Sequence, residues 1–307
     1  MIPLFFSTSR YNRENFHAVA EKIGDQFQLD FNPHGRKLTE NEIAEVLSRG
    51  VVGLIAGLEP ITKYVLDSAP QLRVIARVGT GLDNIDLDAA HQRNIVVTNT
   101  PDATTDAVAE LTLGHILNAL RGIAAADRSI RTNHWSPFMG RLLKGKTVGI
   151  VGFGRIGRRV AQLVDAFGAN VIFTENEPEA ARDTRWRPLQ ALFAESDVIS
   201  LHLPLNDSTR NIVSEREFST MKSDVVIVNA ARGGLIDELA LRRALDSGAV
   251  WAAIDCFVSE PYAGELRLSD RVTLTAHMGS YAVETRTLME QEAAAAMIRE
   301  LRNFGLL

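Results

Sequence analysis

Thr147-Val148-Gly149-Ile150-Val151-Gly152-Phe153-Gly154-Arg155-Ile156-Gly157 is the stretch that decides the fold. A β-type run leads into a G-x-G-x-x-G turn, and an amphipathic helical pattern over 156–167 opens directly from it. Strand, glycine turn and helix in that order form the first half of a βαβ unit that binds a dinucleotide. Gly152 suits the tight turn, Gly154 the approach of the backbone to a pyrophosphate, and Gly157 the close packing of helix on strand. The helix N-terminus offers free N–H groups and the positive end of its dipole to two phosphates. A second strand, 170–174, ends at Glu175, where an acidic residue meets the adenosine ribose hydroxyls. A carboxylate there repels a 2′-phosphate, and Asn176, Glu177 and Pro178 supply no cation beside it. The pattern therefore favours NAD over NADP.

On either side of this unit, short apolar runs alternate with helical patterns, which predicts an α/β protein built on parallel sheets. Ahead of it the spacing predicts strands over 3–6, 27–31, 51–56, 74–78 and 95–98, and helices over 15–23, 39–48 and 62–69. A long helix over 106–122 suits a connector between domains, and 131–141 has no clear period. Beyond the glycine turn, strands are predicted over 198–202, 225–229, 252–256 and 272–275. Helices are predicted there over 238–247 and 283–304.

A length of 307 residues accommodates two domains. The net charge of −5, without a long single-sign block, argues against nucleic acid as a partner. One cysteine, Cys256, excludes an intrachain disulfide and a multi-cysteine metal site, and no metal is expected. The apolar start at 1–6 is too short for a signal peptide, and no apolar run is long enough to span a bilayer. A cytoplasmic protein is expected, with no membrane partner.

Three candidate chemical groups follow predicted strand ends in the last third of the chain. Arg232 lies in Asn229-Ala230-Ala231-Arg232-Gly233-Gly234, Glu260 in Asp255-Cys256-Phe257-Val258-Ser259-Glu260-Pro261, and His277 in Leu274-Thr275-Ala276-His277-Met278-Gly279-Ser280. Substrates of doubly wound sheets bind at the carboxyl ends of the strands. A cation, a carboxylate and an imidazole are what hydride transfer to a keto acid needs beyond its cofactor. Taken singly, each residue also suits a turn, a solvated cap or a structural histidine.

These segments occur in order with Val78-Gly79-Thr80-Gly81-Leu82-Asp83-Asn84-Ile85-Asp86, the glycine turn and Asp237. Together they resemble the D-isomer-specific 2-hydroxyacid dehydrogenase family, in its D-3-phosphoglycerate-dehydrogenase-like branch, over essentially the whole chain. The resemblance implies a Rossmann-type NAD domain at 100–282, inserted in a flavodoxin-like substrate domain formed by 1–99 and 283–307. It implies an NAD-dependent oxidoreductase acting on a D-2-hydroxy acid, either 3-phosphoglycerate or a related glycerate. By this likeness Arg232 holds the substrate carboxylate, His277 is the acid/base and Glu260 its partner, favouring the imidazolium form.

The likeness extends the cofactor set to Thr80, Arg155, Ile156, Pro204, Ala230, Ala231, Asp255 and Gly279, with Asp255 as partner of the carboxamide. The substrate set gains Gly57, Val78 and Gly79. The long helix and the 131–141 excursion resemble dimerisation elements, so a homodimer is expected, with a cleft that closes over the cofactor.

Two departures bear on the substrate. Phosphoglycerate dehydrogenases commonly carry Arg-Ser where this chain has Ala56-Gly57-Leu58-Glu59, and Asn where it has Thr104. Both put a phosphorylated substrate in doubt and leave glyoxylate or hydroxypyruvate as alternatives. Lys63 and Arg77 are the nearest cations to that loop. The chain stops after its last predicted helix, so feedback through a C-terminal regulatory domain is not expected. An NAD-sensing corepressor on the same fold is the alternative from another class, and a formate or phosphite dehydrogenase fits Glu260 less well. His202 reads as structural, His115 as packing or touching a partner, and Cys256 as a small hydrophobe in a buried strand.

Overall fold

The computed structural model describes residues 1–9, 11–20, 24–176 and 182–307. The chain forms two compact units, one of Met1–Thr104 with Ser280–Leu307 and the other of Thr105–Gly279. The sequence-based boundaries fell at 99/100 and 282/283, a few residues from these junctions.

The first unit is a five-stranded parallel sheet in the order β2-β1-β3-β4-β5. Its strands are β1 (Ile2–Phe6), β2 (Phe27–Phe31), β3 (Gly53–Ala56), β4 (Val74–Arg77) and β5 (Val96–Thr98). β3 and β4 are buried along their whole length and are nearly unbroken apolar runs, whereas the edge strand β2 alternates, with Gln28 and Asp30 exposed. Leu4 and Phe6 turn to one face and join Phe16 of α1 (Arg13–Ala20) and Met289 and Met297 of α11 (Val283–Asn303). Phe5, Leu54 and Ile75 turn to the other face, against α2 (Glu40–Ser48) and α3 (Lys63–Asp67). Thr39 caps α2 through a capping box with Glu42. The predicted α1 overlaps the observed helix, and its last positions, 21–23, lie outside the described residues. One further helix, α4 (Leu87–Gln92), had no sequence-based prediction; Asp86 caps it.

The second unit is a six-stranded parallel sheet in the order β11-β10-β9-β8-β6-β7. Its strands are β6 (Thr147–Val151), β7 (Asn170–Thr174), β8 (Val198–Leu201), β9 (Val225–Asn229), β10 (Val250–Ile254) and β11 (Val272–Leu274). α5 (Thr105–Arg121) and α7 (Arg155–Ala166) cover one face through Ala109, Ile116, Val160 and Val164. α8 (Leu189–Glu195) and α10 (Glu238–Asp246) cover the other through Leu192, Phe193, Leu241 and Leu245. β6 lies between β7 and β8, so the chain runs first to one side of it and then to the other. The crevice beyond its carboxyl end is the topological switch point where ligands of such sheets bind.

Two readings need correction. The strand predicted over 252–256 lies at 250–254, because Val250 pairs with Val225 of β9. Asp255 and Cys256 therefore stand beyond the strand end, in the loop. The aperiodic stretch expected from 131 is preceded by a helix, α6 (Ile123–Arg131), with no buried residue.

Candidate active site

The glycine turn sits at the switch point. Gly152 has φ +93°, and a Cβ there would stand 2.6 Å from the His202 carbonyl oxygen at the end of β8. A Cβ on Gly157 would meet the Gly152 carbonyl oxygen at 2.1 Å, so side chains at either position would push strand and helix apart. Gly154 caps α7 without a side-chain hydrogen bond, whereas Thr39, Thr62, Asp86 and Asp237 cap α2, α3, α4 and α10. No heavy atom lies within 4 Å of where a Gly154 Cβ would be. An uncapped helix N-terminus with open space before it fits a pyrophosphate. Arg155 and Ile156 form the first turn of that helix.

Glu175 stands just past β7. Its carboxylate accepts hydrogen bonds from the N–H groups of Phe153 (2.9 Å) and Asn176 (2.8 Å), which tie it to the glycine turn. Phe153 stacks on Phe173 at 3.8 Å, with the Arg158 and Arg185 guanidinium groups 5.0 and 5.8 Å from its ring. Cations therefore approach this corner from positions that neighbours in sequence do not reveal. Arg185 is paired with Asp183 at 2.7 Å. Glu177 and Pro178 lie outside the described residues. Pro204 is exposed after β8, and its carbonyl accepts from the Thr209 hydroxyl at 2.7 Å. His202, two residues earlier, lies 2.9 Å from Ser200 Oγ, and burial pushes its imidazole down to about 4.

The three candidate chemical groups follow β9, β10 and β11, which are adjacent strands. Arg232 is half-buried in the turn after β9, and its Nη1 donates to the Ala231 carbonyl at 2.7 Å. Asn229 shapes that turn: its Nδ2 donates to the Arg232 carbonyl (2.8 Å), and its Oδ1 accepts from the Ala231 N–H (3.1 Å). Ala230 and Ala231 are thereby fixed ahead of the arginine. Glu260 and His277 meet: Nδ1 lies 3.0 Å from Oε2 and 3.1 Å from Oε1. A carboxylate only accepts, so Nδ1 carries the proton and Nε2 is left for a substrate. The Phe257 N–H donates to Oε1 at 3.0 Å, which fixes the carboxylate from its own loop.

His277 adopts φ +50°, a left-handed conformation unusual for a residue with a Cβ. Asp255 holds it there. Its carbonyl accepts from the His277 N–H (2.8 Å), and its fully buried carboxylate accepts from the N–H groups of Met278 and Gly279, both at 2.9 Å. Asp255 thus anchors the 277–279 turn.

The remaining candidates, Gly57, Val78, Gly79 and Thr80, belong to the first unit, beyond the carboxyl ends of β3 and β4. The Gly57 N–H donates to Glu59 Oε1 at 2.9 Å, and Ser7 Oγ also donates to that oxygen. Val78 and Glu59 are buried. The Gly79 N–H donates to Thr100 Oγ1 at 2.9 Å, and Thr80 Oγ1 lies 2.7 Å from Thr104 Oγ1. Thr104, which replaces the family's common Asn, thus fixes the Thr80 hydroxyl. Lys63 is an exposed residue paired with Asp67 at 2.8 Å, whereas Arg77 is only 6% exposed. Among the described residues no group of histidine, cysteine and acidic side chains is arranged to hold a metal ion. Nor is any helix among them long and apolar enough to cross a membrane.

Residues 113–279 match the family described as D-isomer specific 2-hydroxyacid dehydrogenase, NAD binding domain. Hydroxypyruvate reductase of Thermotoga maritima is 38% identical over 272 residues, covering 86% of this chain and 89% of that protein. D-3-phosphoglycerate dehydrogenase of Methanocaldococcus jannaschii is also 38% identical over 272 residues, but the chain spans only 51% of its length. The crystal structure of a glyoxylate reductase from Paecilomyes thermophila superposes with a TM-score of 0.86 at 32% identity, covering 99% of this chain and 96% of that one. Glycine turn, ordered strand-end residues, two parallel-sheet units and these similarities agree, and the chain belongs to the D-isomer specific 2-hydroxyacid dehydrogenase family.

Proposed function

We propose that this NAD-dependent enzyme interconverts a short, unphosphorylated D-2-hydroxy acid and its 2-keto acid, glyoxylate or hydroxypyruvate being the fitting chemistry. The observation that carries the proposal is the His277–Glu260 pair at 3.0 Å, on the strand ends beside Arg232. NAD, when bound, supplies the nicotinamide that accepts or returns the hydride. Gly152, Gly154, Arg155, Ile156 and Gly157 would hold its pyrophosphate at the start of α7, and Glu175 would meet the adenosine ribose.

His277 Nε2 gives its proton to the keto oxygen during reduction and takes it from the hydroxyl during oxidation. Glu260 beside Nδ1 stabilises the imidazolium that must form in the oxidative direction. The Arg232 guanidinium pairs with the substrate carboxylate and polarises the neighbouring carbonyl. The first unit, which carries Gly57, Val78 and Gly79, is proposed as the substrate domain and the second as the NAD domain. A buried carboxylate, Glu59, occupies the loop where the Arg-Ser of phosphoglycerate dehydrogenases would sit. A phosphate is disfavoured near such a charge. The test is steady-state turnover on a panel of 2-keto acids with NADH and NADPH.

The enzyme is proposed to be a homodimer. α6 and the segment after it expose Trp135 (89%) and Met139 (94%), with Ile130 and Leu142 beside them in sequence. A cluster of large apolar side chains in water marks an interface. Light scattering should return twice the monomer mass, and a monomer would refute it. A cytoplasmic location is proposed with it, because a sequence with one cysteine makes no intrachain disulfide, as suits a reducing compartment.

A further inference from the structure

His115 enters the second unit's site from behind, on α5. It is only 4% exposed, and its Nε2 lies 3.2 Å from Thr275 Oγ1. Thr275 Oγ1 in turn donates to Asp255 Oδ1 at 2.6 Å. The hydroxyl has one hydrogen, and an ionised carboxylate can only accept it. Thr275 must therefore accept from His115, which places the His115 proton on Nε2. The chain of donors runs in one direction, from His115 through Thr275 to the Asp255 carboxylate. Burial lowers the His115 imidazole while Asp255 opposes the shift, so the neutral form with a single N–H fits.

We propose that His115 and Thr275 are positioning residues for the reaction, holding the Asp255 carboxylate so that the 277–279 turn keeps His277 in its left-handed conformation. This rests on the reading of His277 as the acid/base. Asp255 has no exposed surface, so each donor to it replaces water it lost on folding. Met278 and Gly279 supply two donors from the turn itself, and Thr275 supplies a donor from outside it. A positive φ at His277 is strained for a residue with a Cβ and persists only while its surroundings enforce it. A carboxylate free to rotate toward another partner would release that turn. His115 fixes the Thr275 hydroxyl so that its hydrogen is committed to Asp255.

The first test is ¹⁵N NMR of the holoenzyme's imidazoles at neutral pH. The Nε2–H tautomer is expected for His115, and the Nδ1–H tautomer would overturn the relay whatever His277 does. The second is kinetic. Thr275→Val should lower kcat about tenfold or more, leave the KM for NADH within about twofold, and be rescued by Thr275→Ser. His115→Leu should lower kcat and His115→Gln, which keeps a donor, should restore it. The double variant His115→Leu/Thr275→Val should be no slower than Thr275→Val alone, since both cut one chain. Additive losses, or equal activity of the Val and Ser variants, would overturn the proposal. If His277→Ala turned over normally, the acid/base reading would fall and the catalytic role of the relay with it.

Discussion

Gly233 and Phe257 lie so close that a Cβ on the glycine would stand 2.0 Å from both the carbonyl carbon and the carbonyl oxygen of Phe257. The contact joins the loop that carries Arg232 to the loop that carries Glu260. Carboxylate cation and acid/base partner are thus set by one backbone approach that only glycine permits.

Gly233→Ala should therefore damage both loops at once. A methyl group inside a packed contact costs about 1–3 kcal/mol of stability. Displacing Arg232 and Glu260 together should lower kcat/KM about 10- to 100-fold. Urea unfolding and steady-state kinetics on the same preparation would show both effects. A variant as active and as stable as the parent would mean that the two loops are independent.

His277→Ala should lose about 10²- to 10⁴-fold in turnover while still binding NADH, because the imidazole moves a proton and holds no part of the glycine turn. Glu260→Gln keeps a side chain that can accept from Nδ1 but removes the charge that stabilises imidazolium. Turnover should fall about tenfold or more while the KM for NADH stays within about twofold. An unchanged kcat would separate Glu260 from the chemistry of His277.

Glu175 accepts two backbone N–H bonds, and both Arg158 and Arg185 lie over the Phe153 ring next to it. Glu175→Ser should raise the KM for NADH several-fold and improve the use of NADPH, with those arginines near enough to attract a 2′-phosphate. The ratio of kcat/KM values for the two cofactors is the measurement. A ratio that does not change would place the ribose elsewhere.

His202 is held neutral by burial, its ordinary 6.5 lowered to about 4. Above about pH 7.5 it is neutral whether folded or unfolded and contributes nothing. Between the two values only the unfolded chain binds the proton, so stability falls as pH drops. By about pH 5 the loss should reach about 2 kcal/mol. His202→Gln should flatten this dependence in urea melts, and a parallel pH dependence in variant and parent would contradict it.

The strands, the long helices and the glycine turn were legible from apolar runs and glycine spacing. Arg232, Glu260 and His277 stood out by following predicted strand ends, and their proposed roles came from the family resemblance. The anchoring by Asp255 was not legible, since it depends on which backbone N–H groups the 277–279 turn brings to its carboxylate. His115 looked like a packing residue on α5, and its bond to Thr275 spans 160 positions. Asn229 was readable in principle, because an asparagine at a strand end that bonds backbone two and three residues on is a turn signal.

Short helices were the main omission. α8 and α9 (Glu215–Thr220) are too short to show a 3.6-residue period, and their stability comes from packing. Ser214 and Glu217 do form a capping box that the sequence displays, and it would have marked α9. α6 lacks any buried residue, so no core-facing period existed to read.

Reduction of a short, unphosphorylated 2-keto acid through His277 should be read as loss of NADH absorbance with glyoxylate, hydroxypyruvate, pyruvate, 2-oxoglutarate and 3-phosphohydroxypyruvate, for the parent and for His277→Ala. The highest kcat/KM is expected on hydroxypyruvate or glyoxylate, abolished in the variant. Preference for the phosphorylated acid, or equal turnover by the variant, would contradict this role.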